Sequence, residues 1–296
     1  CKACASQCQI KIDGPTVRSQ FNELYHQRYL RPAKDYVVSN LEFIAPLMAK
    51  APKFFNFFST SHLAEIAANK TIGMTYLPAL STPNLQKQLV EIGYQGETLE
   101  NLEAQQASGQ FSAENCQTVL VVQDPFTTFY DAKVVADFVA FIQKLGFKSV
   151  VLPYKPTGKA QHIKGFLSKF AKTAKNQADF LNRTAKLGLP MVAIDPALTL
   201  LYRDEYRNIL KTERGDFKVL LAHEWLIEQI KSGVLDNCKK AKETDRLPWH
   251  LFAHCTETTE LPTSSKEWQQ IFAHFGETLV SEKVGCCGMA GTFGHE

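Results

Sequence analysis

Val119-Leu120-Val121-Val122 is an apolar, mostly β-branched run that begins an alternation of strands and helices. It predicts a buried strand, because strands enclosed on both faces are apolar throughout. Residues 132–145 form an amphipathic helical pattern that ends at Gly146, and residues 149–152 predict a second strand. The strand–helix–strand order predicts a parallel sheet flanked by helices, so the expected fold class is α/β.

The alternation continues along the chain. Residues 159–187 predict a long helical stretch interrupted at Gly165, and residues 191–194 predict a third strand. Residues 198–210 and 216–230 read as further helices. The order then begins again, with a strand over residues 250–253, a helix over 264–275 that ends at Gly276, and a strand over 279–283.

The two strand–helix–strand units coincide without gaps at a constant offset of 130 residues. The matched positions are Gly146 and Gly276, Gly158 and Gly288, Pro125 and Cys255, Pro156 and Cys286, and Thr157 and Cys287. The match indicates an internal duplication, in which the second unit carries three thiols and the first carries none of them. Coincidental similarity between two βα units is the alternative.

The thiols of the second unit have an unusual spacing. Cys255 precedes the adjacent pair Cys286-Cys287 by 31 residues, and Gly288 follows. Structural zinc generally uses two short C-x2–4-C pairs, which this arrangement does not supply. Thiolates also select iron–sulfur clusters, and adjacent cysteines can serve different irons of one cluster. Glycine beside them lets the backbone approach closely. A redox disulfide is the other functional option, although adjacent pairs are strained.

A second thiol group opens the chain as Cys1-Lys2-Ala3-Cys4-Ala5-Ser6-Gln7-Cys8. Its C-x-x-C-x-x-x-C spacing corresponds to the latter part of the ferredoxin run C-x2-C-x2-C-x3-C-P. Cys1, Cys4 and Cys8 would then be ligands of a 4Fe–4S cluster whose first ligand lies upstream. Gln9 stands where that run has proline, and a zinc knuckle is the alternative. We expect the chain to be an internal piece of a longer one.

Composition narrows the classes of function. Hydrophobic residues make up 45 % of the 296 residues and charged residues 21 %, which is ordinary for a globular protein. The net charge of +3 and the lack of a basic run interleaved with aromatics argue against a nucleic-acid partner. Six of the eight cysteines fall in two compact sets, which in so long a chain favours metal binding over a disulfide scaffold. No apolar run is long enough to cross a bilayer, but peripheral membrane association stays open.

We divide the chain into four parts by these patterns. Residues 1–50 are a truncated ferredoxin-type segment with helices, including one over 33–50 that Pro46 kinks or ends. Residues 51–115 read as a linker with one or two short helices. Residues 116–235 are the unit without the motif cysteines, and residues 248–296 are the second unit. The aromatic run at 51–58 is predicted to pack in a core; a missing domain, a quinone or a membrane surface are alternatives.

The thiol motifs carry a resemblance. Cys255 with Cys286-Cys287-Gly288 resembles the cysteine-rich "CCG" domain of heterodisulfide reductase, glycolate oxidase and anaerobic glycerol-3-phosphate dehydrogenase iron–sulfur subunits. The chain as a whole resembles the C-terminal half of bacterial FAD-linked D-2-hydroxyacid dehydrogenases of the D-2-hydroxyglutarate and D-lactate type. The stretches that carry it are residues 1–13, 25–34, 123–135, 158–170, 195–206, 254–259 and 284–296.

The resemblance implies an electron-transfer role. FAD would lie in an upstream domain, and 4Fe–4S clusters held by Cys1, Cys4, Cys8, Cys255, Cys286 and Cys287 would pass electrons to an acceptor such as a quinone. The chain itself would hold no residues that act on the hydroxy acid. We expect a cytoplasmic protein, or one peripheral at the inner face of the membrane. The competing hypothesis is an α/β scaffold or docking module whose thiols bind zinc or nothing.

Overall fold

Four short parallel strands form the sheet of the first α/β unit in the computed structural model, which describes residues 9–10, 12–74, 78–110, 117–238 and 247–285. The strands are β1 (Thr118–Val122), β2 (Lys148–Val151), β3 (Met191–Ala193) and β4 (Val219–Leu221). Their order in the sheet is β2-β1-β3-β4. Every residue of β1 is buried, as its apolar run predicts, and the α/β class is confirmed.

Helices cover both faces of this sheet. The helices of the unit are α8 (Pro125–Phe129), α9 (Ala132–Lys144), α10 (Lys159–Ile163), α11 (Leu167–Ala185), α12 (Pro196–Arg203), α13 (Glu205–Leu210) and α14 (Ala222–Lys231). Leu120 and Val122 of β1 face a core shared with α11, α12 and α13. Val119 and Val121 face a second core shared with α9 and α14. Alternate residues of β1 thus enter opposite layers, as the period of two in a strand requires.

The prediction of a helix over residues 216–230 is wrong in its first part. β4 occupies Val219–Leu221 and pairs with β3 in register, with Met191 opposite Val219. The helix α14 begins only at Ala222. A strand of three buried residues is too short to show a period of two, so the helical pattern that follows it conceals it.

The second unit repeats the first. It comprises β5 (Trp249–Leu251), α15 (Cys255–Glu260), α16 (Ser264–His274) and β6 (Leu279–Ser281), and β5 and β6 form a parallel pair. Trp249 lies opposite Leu279 in that pair, and Val119 lies opposite Ser149 in the first unit. Both matches keep the offset of 130 residues that the sequence shows. The prediction of two repeated βα units is therefore confirmed for the described residues.

Backbone hydrogen bonds repeat at the same offset. The Phe147 N–H donates to the Ile142 carbonyl at 3.2 Å, and the matched Glu277 N–H donates to the Phe272 carbonyl at 2.9 Å. Gly146 and Gly276, which lie between these residues, have φ angles of 88° and 79°. Glycine is needed at both turns because other residues rarely adopt positive φ.

Seven of the helices that the structure describes precede the first sheet: α1 (Gly14–Tyr25), α2 (Ala33–Ser39), α3 (Leu41–Met48), α4 (Pro52–Ser59), α5 (His62–Ile72), α6 (Leu85–Glu91) and α7 (Leu99–Ala107). The helical stretch predicted over residues 33–50 breaks at Asn40, and Pro46 lies inside α3. Proline donates no N–H, so the Glu42 carbonyl one turn earlier is left without its helical partner. The Tyr154 hydroxyl donates to that carbonyl at 2.9 Å, which lets α3 continue past Pro46.

Residues 51–115 hold more structure than the predicted linker with one or two short helices, since α4 to α7 all lie there. The expectation that residues 51–58 pack in a core is also wrong. No residue of α4 is fully buried, and Phe54, Phe57 and Phe58 are exposed. Their rings contact one another at centroid distances of 4.9 to 5.5 Å, together with Phe55. An aromatic run indicates burial only where a neighbouring element covers it.

The first helices are held on the first unit at residues 157–166. Arg31 donates to the carbonyls of Lys164 and Gly165, and the Asp35 carboxylate lies 3.3 Å from the Lys164 ammonium in a largely buried ion pair. At Gly165 the backbone of α1 approaches closely. An added Cβ there would lie 2.8 Å from the Ser19 carbonyl oxygen and 2.7 Å from Asn22 Cβ.

We expect Gly165→Ala to destabilise the protein more than Gly93→Ala. Both glycines have a φ of 71°, so both substitutions incur the same backbone strain, but nothing lies within 4 Å of an added Cβ at Gly93. The clash at Gly165 adds an overpacking cost of about 1–3 kcal/mol. Urea unfolding of the two variants measures the difference, and equal midpoints would show that α1 is not packed against Gly165.

Candidate functional site

Cys255 is the predicted ligand that the described residues include. It is the first residue of α15 and is partly exposed at the carboxyl end of β5. His254 precedes it, and its Nδ1 accepts a hydrogen bond from the Thr256 N–H at 3.2 Å. The remaining predicted ligands, Cys1, Cys4, Cys8, Cys286 and Cys287, lie outside the described residues. Within the described ranges, no group of three or more His, Cys, Asp or Glu side chains is placed to hold a metal ion.

A buried polar cluster fixes the helix that carries Cys255. Glu257 is 5 % exposed, and its Oε1 accepts from the Trp268 indole N–H at 3.2 Å. The same oxygen lies 3.5 Å from Nδ1 of His223, whose Nε2 lies 3.3 Å from Glu267 Oε2. His223 belongs to α14 of the first unit and is 1 % exposed. It therefore joins the first unit to both helices of the second.

No local sequence pattern indicates these histidine partners. His223 has no partner at helical spacing, because Glu257 and Glu267 lie 34 and 44 residues later in the chain. Only the packing of α14 against α16 brings them together. The contacts that His223 adds to this cluster are therefore non-local.

The carboxyl ends of β1 and β3 each bear an aspartate. Asp124 and Asp195 cap α8 and α12, and Asp124 Oδ1 accepts from the N–H groups of Phe126 and Thr127 at 2.8 Å each. After β1 the chain turns towards β2, and after β3 it turns the other way, towards β4. Open α/β sheets commonly form a ligand crevice between two strands of this kind. Here the Asp124 side chain is only 3 % exposed, whereas Asp195 is partly exposed. Burial, and then the charge of Asp195, raise the pKa of Asp124 to about 6.

We expect Asp124→Asn to remove a pH dependence of stability. Because the native carboxyl binds its proton more tightly than the unfolded one, wild-type stability should fall between about pH 4 and pH 6, by up to about 1.4 kcal/mol per pH unit. Asparagine keeps the capping oxygen but does not titrate. Urea unfolding across this range should show that the stability of Asp124→Asn rises relative to that of the wild type as pH increases. Parallel curves would contradict the assignment.

A carboxylate occupies the loop of the first unit that matches the cysteine pair of the second. Glu42 of α3 is 3 % exposed, and its Oε2 accepts from the N–H groups of Thr157 and Gly158 at 2.5 and 2.9 Å. It also accepts from the Thr157 hydroxyl at 3.0 Å, and its Oε1 accepts from the Ala160 N–H at 3.2 Å. Thr157 and Gly158 are the residues matched to Cys287 and Gly288. This loop of the repeated fold can therefore hold a buried negative group.

Gly158 is required in that loop for two reasons. Its φ is 79°, and an added Cβ would lie 2.9 Å from Cδ2 of Phe170. The sequence signal that could have revealed this site is the repeat itself, since Gly158 aligns with Gly288 beside the cysteines. Nothing in the sequence around Glu42 indicates that it supplies the carboxylate.

Among the helices that the structure describes, none has the length and apolar character needed to cross a bilayer.

Comparison with known proteins gives relatives that match the whole of this chain. D-2-hydroxyglutarate dehydrogenases of Haemophilus influenzae, Escherichia coli and Pseudomonas putida are 58 %, 55 % and 39 % identical to it over 298, 296 and 297 residues. The alignments cover 100 % of this chain but only 28 % of each relative. No protein-family model matches the sequence, and no solved structure gave a significant match.

Proposed function

We propose that the chain is the electron-transfer part of a longer FAD-linked dehydrogenase that oxidises D-2-hydroxyglutarate. The observation that carries this proposal is the match of its whole length to enzymes named for that activity, at up to 58 % identity. The thiol motifs add the redox role, because grouped thiolates of this spacing suit iron–sulfur clusters. The substrate site would lie in the larger remaining part of the polypeptide.

Two sets of cysteines would hold the clusters. Cys1, Cys4 and Cys8 would supply ligands to a 4Fe–4S cluster, and Cys255, Cys286 and Cys287 would hold a second centre. A thiolate-bound cluster is usually anionic, and the first unit supports the fit, because its matched loop holds the Glu42 carboxylate on backbone N–H groups. When bound, flavin and clusters would supply oxidation of the substrate at C2 to the 2-oxo acid and one-electron transfer onwards.

The described residues would position the second centre. Glu257, His223 and Trp268 fix α15 and with it Cys255, which remains accessible at the carboxyl end of β5. Burial of Glu257 limits movement of this helix, since separating it from the Trp268 indole would leave a buried carboxylate oxygen without its hydrogen bond. A rigid ligand set favours fast electron transfer because little rearrangement accompanies the change of charge.

The proposal has a direct spectroscopic test. Anaerobic addition of D-2-hydroxyglutarate to the longer polypeptide should bleach the visible absorption of the flavin and also the broad visible absorption of the clusters. Subsequent addition of an acceptor should restore the absorption of both the flavin and the clusters. Bleaching confined to the flavin, with no further visible change, would contradict a relay through this chain.

A quinone is the acceptor that we propose, with the protein cytoplasmic or peripheral at the inner face of the membrane. The exposed phenylalanines of α4 support this location, since Lys50 and Lys53 precede them and no acidic residue lies between Phe43 and Ala64. Aromatic and basic side chains together suit an anionic lipid surface.

The wild-type polypeptide should float with anionic vesicles, and Phe57→Ser should float less. Equal flotation of the wild-type and Phe57→Ser proteins would contradict membrane contact through α4.

The scaffold hypothesis remains the second candidate. The first unit keeps its fold without the motif cysteines, which shows that the architecture does not depend on thiols. A zinc-bearing or metal-free second unit could then serve for docking alone. Colour separates the two hypotheses, because iron–sulfur proteins prepared without oxygen are brown and zinc proteins are colourless.

A further inference from the structure

The β5–β6 sheet has an edge that its counterpart in the first unit does not have. In the first unit β1 lies between β2 and β3. In the second unit β5 pairs with β6, and no other strand of the described ranges pairs with β5. The side chains reflect this difference. Trp249 and Phe252 are 58 % and 70 % exposed, whereas the matched Val119 and Val122 are 0 % and 4 % exposed.

The backbone of β5 has one residue directed to the open edge. The Trp249 N–H donates to the Thr278 carbonyl, and the Leu251 carbonyl accepts from the Glu282 N–H at 3.0 Å, so both residues face β6. In a parallel strand the residue between them faces the other side. The matched residue in the first unit, Leu120, donates its N–H to the Pro190 carbonyl just before β3 at 2.9 Å. His250 is therefore the residue that would bond to an added strand.

We propose that the open edge of β5 receives a parallel strand, equivalent to β3, from the remaining part of the longer polypeptide. The repeated register supports this occupant, because the two units agree in every described strand and turn that they share. The relatives supply the length, since this chain corresponds to 28 % of each. An open edge with exposed aromatic side chains would otherwise promote aggregation.

A second copy of this chain fits the edge less well. Two copies related by a twofold axis pair their edge strands antiparallel, whereas every described strand pair here is parallel. The added strand would complete the second α/β unit and cover Trp249 and Phe252. The inference rests on the part of the proposed function that places this chain in a longer polypeptide, and not on its iron–sulfur clusters or its substrate.

Hydrogen exchange followed by mass spectrometry tests the inference without reference to metal or activity. The amides of residues 249–252 should exchange at least about 100-fold more slowly in the longer polypeptide than in the 296-residue chain. Equal exchange in both would overturn the proposal. Protection that appears in the 296-residue chain and rises with its concentration would also overturn it, because a second copy would then cover the edge.

Proline at position 250 gives a second test. His250→Pro removes the N–H that faces the open edge and leaves the bonds to β6 in place, so the 296-residue chain should tolerate it. In the longer polypeptide it should raise exchange over residues 249–252 at least about tenfold, because the bond to the added strand is lost. His250→Ala is the matched control, since it also loses the contact of the His250 ring with Glu282 but keeps the N–H. Equal effects of the two variants in the longer polypeptide would refute the added strand.

Discussion

Glu42→Ala is expected to lower the free energy of unfolding by at least about 3 kcal/mol and to loosen helices α1 to α3 from the first α/β unit. The substitution removes the acceptor for three backbone N–H groups and one hydroxyl in the loop at residues 157–160. A buried donor that loses its partner costs about 1–3 kcal/mol, because its hydration is not restored. Urea unfolding gives the loss of stability, and limited proteolysis gives the release of the helices.

Two further variants make this result specific. Glu65→Ala removes a carboxylate whose side chain is 53 % exposed, and surface substitutions of this kind change stability by about 0.5 kcal/mol or less. Glu42→Gln keeps one acceptor oxygen but places an amide donor opposite backbone donors, so its loss should be intermediate. If Glu42→Ala is no more destabilising than Glu65→Ala, the carboxylate does not hold the N-terminal helices.

Cys287→Ser in the longer polypeptide is expected to slow reduction of the acceptor at least about 100-fold, while D-2-hydroxyglutarate still reduces the flavin. The proposed relay requires the thiolate, because serine is a poor ligand for the soft iron–sulfur centre. The proposed reductive half-reaction would take place in another part of the polypeptide and should be unaffected. Stopped-flow absorption measures flavin reduction, and steady-state assays with a quinone measure the whole reaction.

Cys238→Ser is the control for this experiment. Cys238 is a partly buried free thiol near the end of the first unit and belongs to neither motif. The same change of sulfur to oxygen there should leave both half-reactions intact. Equal loss of both half-reactions in Cys287→Ser would contradict the relay, since it would indicate a general effect on folding.

Much of the α/β core follows from local pattern. The apolar run at residues 119–122 predicts β1 because all of its residues are enclosed, and Gly146 and Gly276 mark matched turns because both need positive φ. The repeat that these residues define was visible in the sequence at a fixed offset. The register of β5 against β6, which no local pattern contains, keeps the same offset.

The contacts that the sequence did not reveal are long-range. Glu42 reaches a loop more than a hundred residues later, and His223 meets Glu257 and Glu267 only after two units pack together. The aromatic helix α4 was misjudged for a related reason, since composition shows that a face is apolar but not what covers it. All six predicted ligands stay predictions, since five lie outside the described residues and Cys255 alone does not test a cluster.

Metal analysis of the longer polypeptide, prepared without oxygen, tests whether the grouped cysteines hold iron–sulfur clusters. Iron and acid-labile sulfide should be present in stoichiometric amounts, and reduction should give electron paramagnetic resonance signals. Cys8→Ser and Cys286→Ser should each remove one set of signals. Zinc, or no metal, in a preparation with full flavin content and full activity with D-2-hydroxyglutarate would contradict the account.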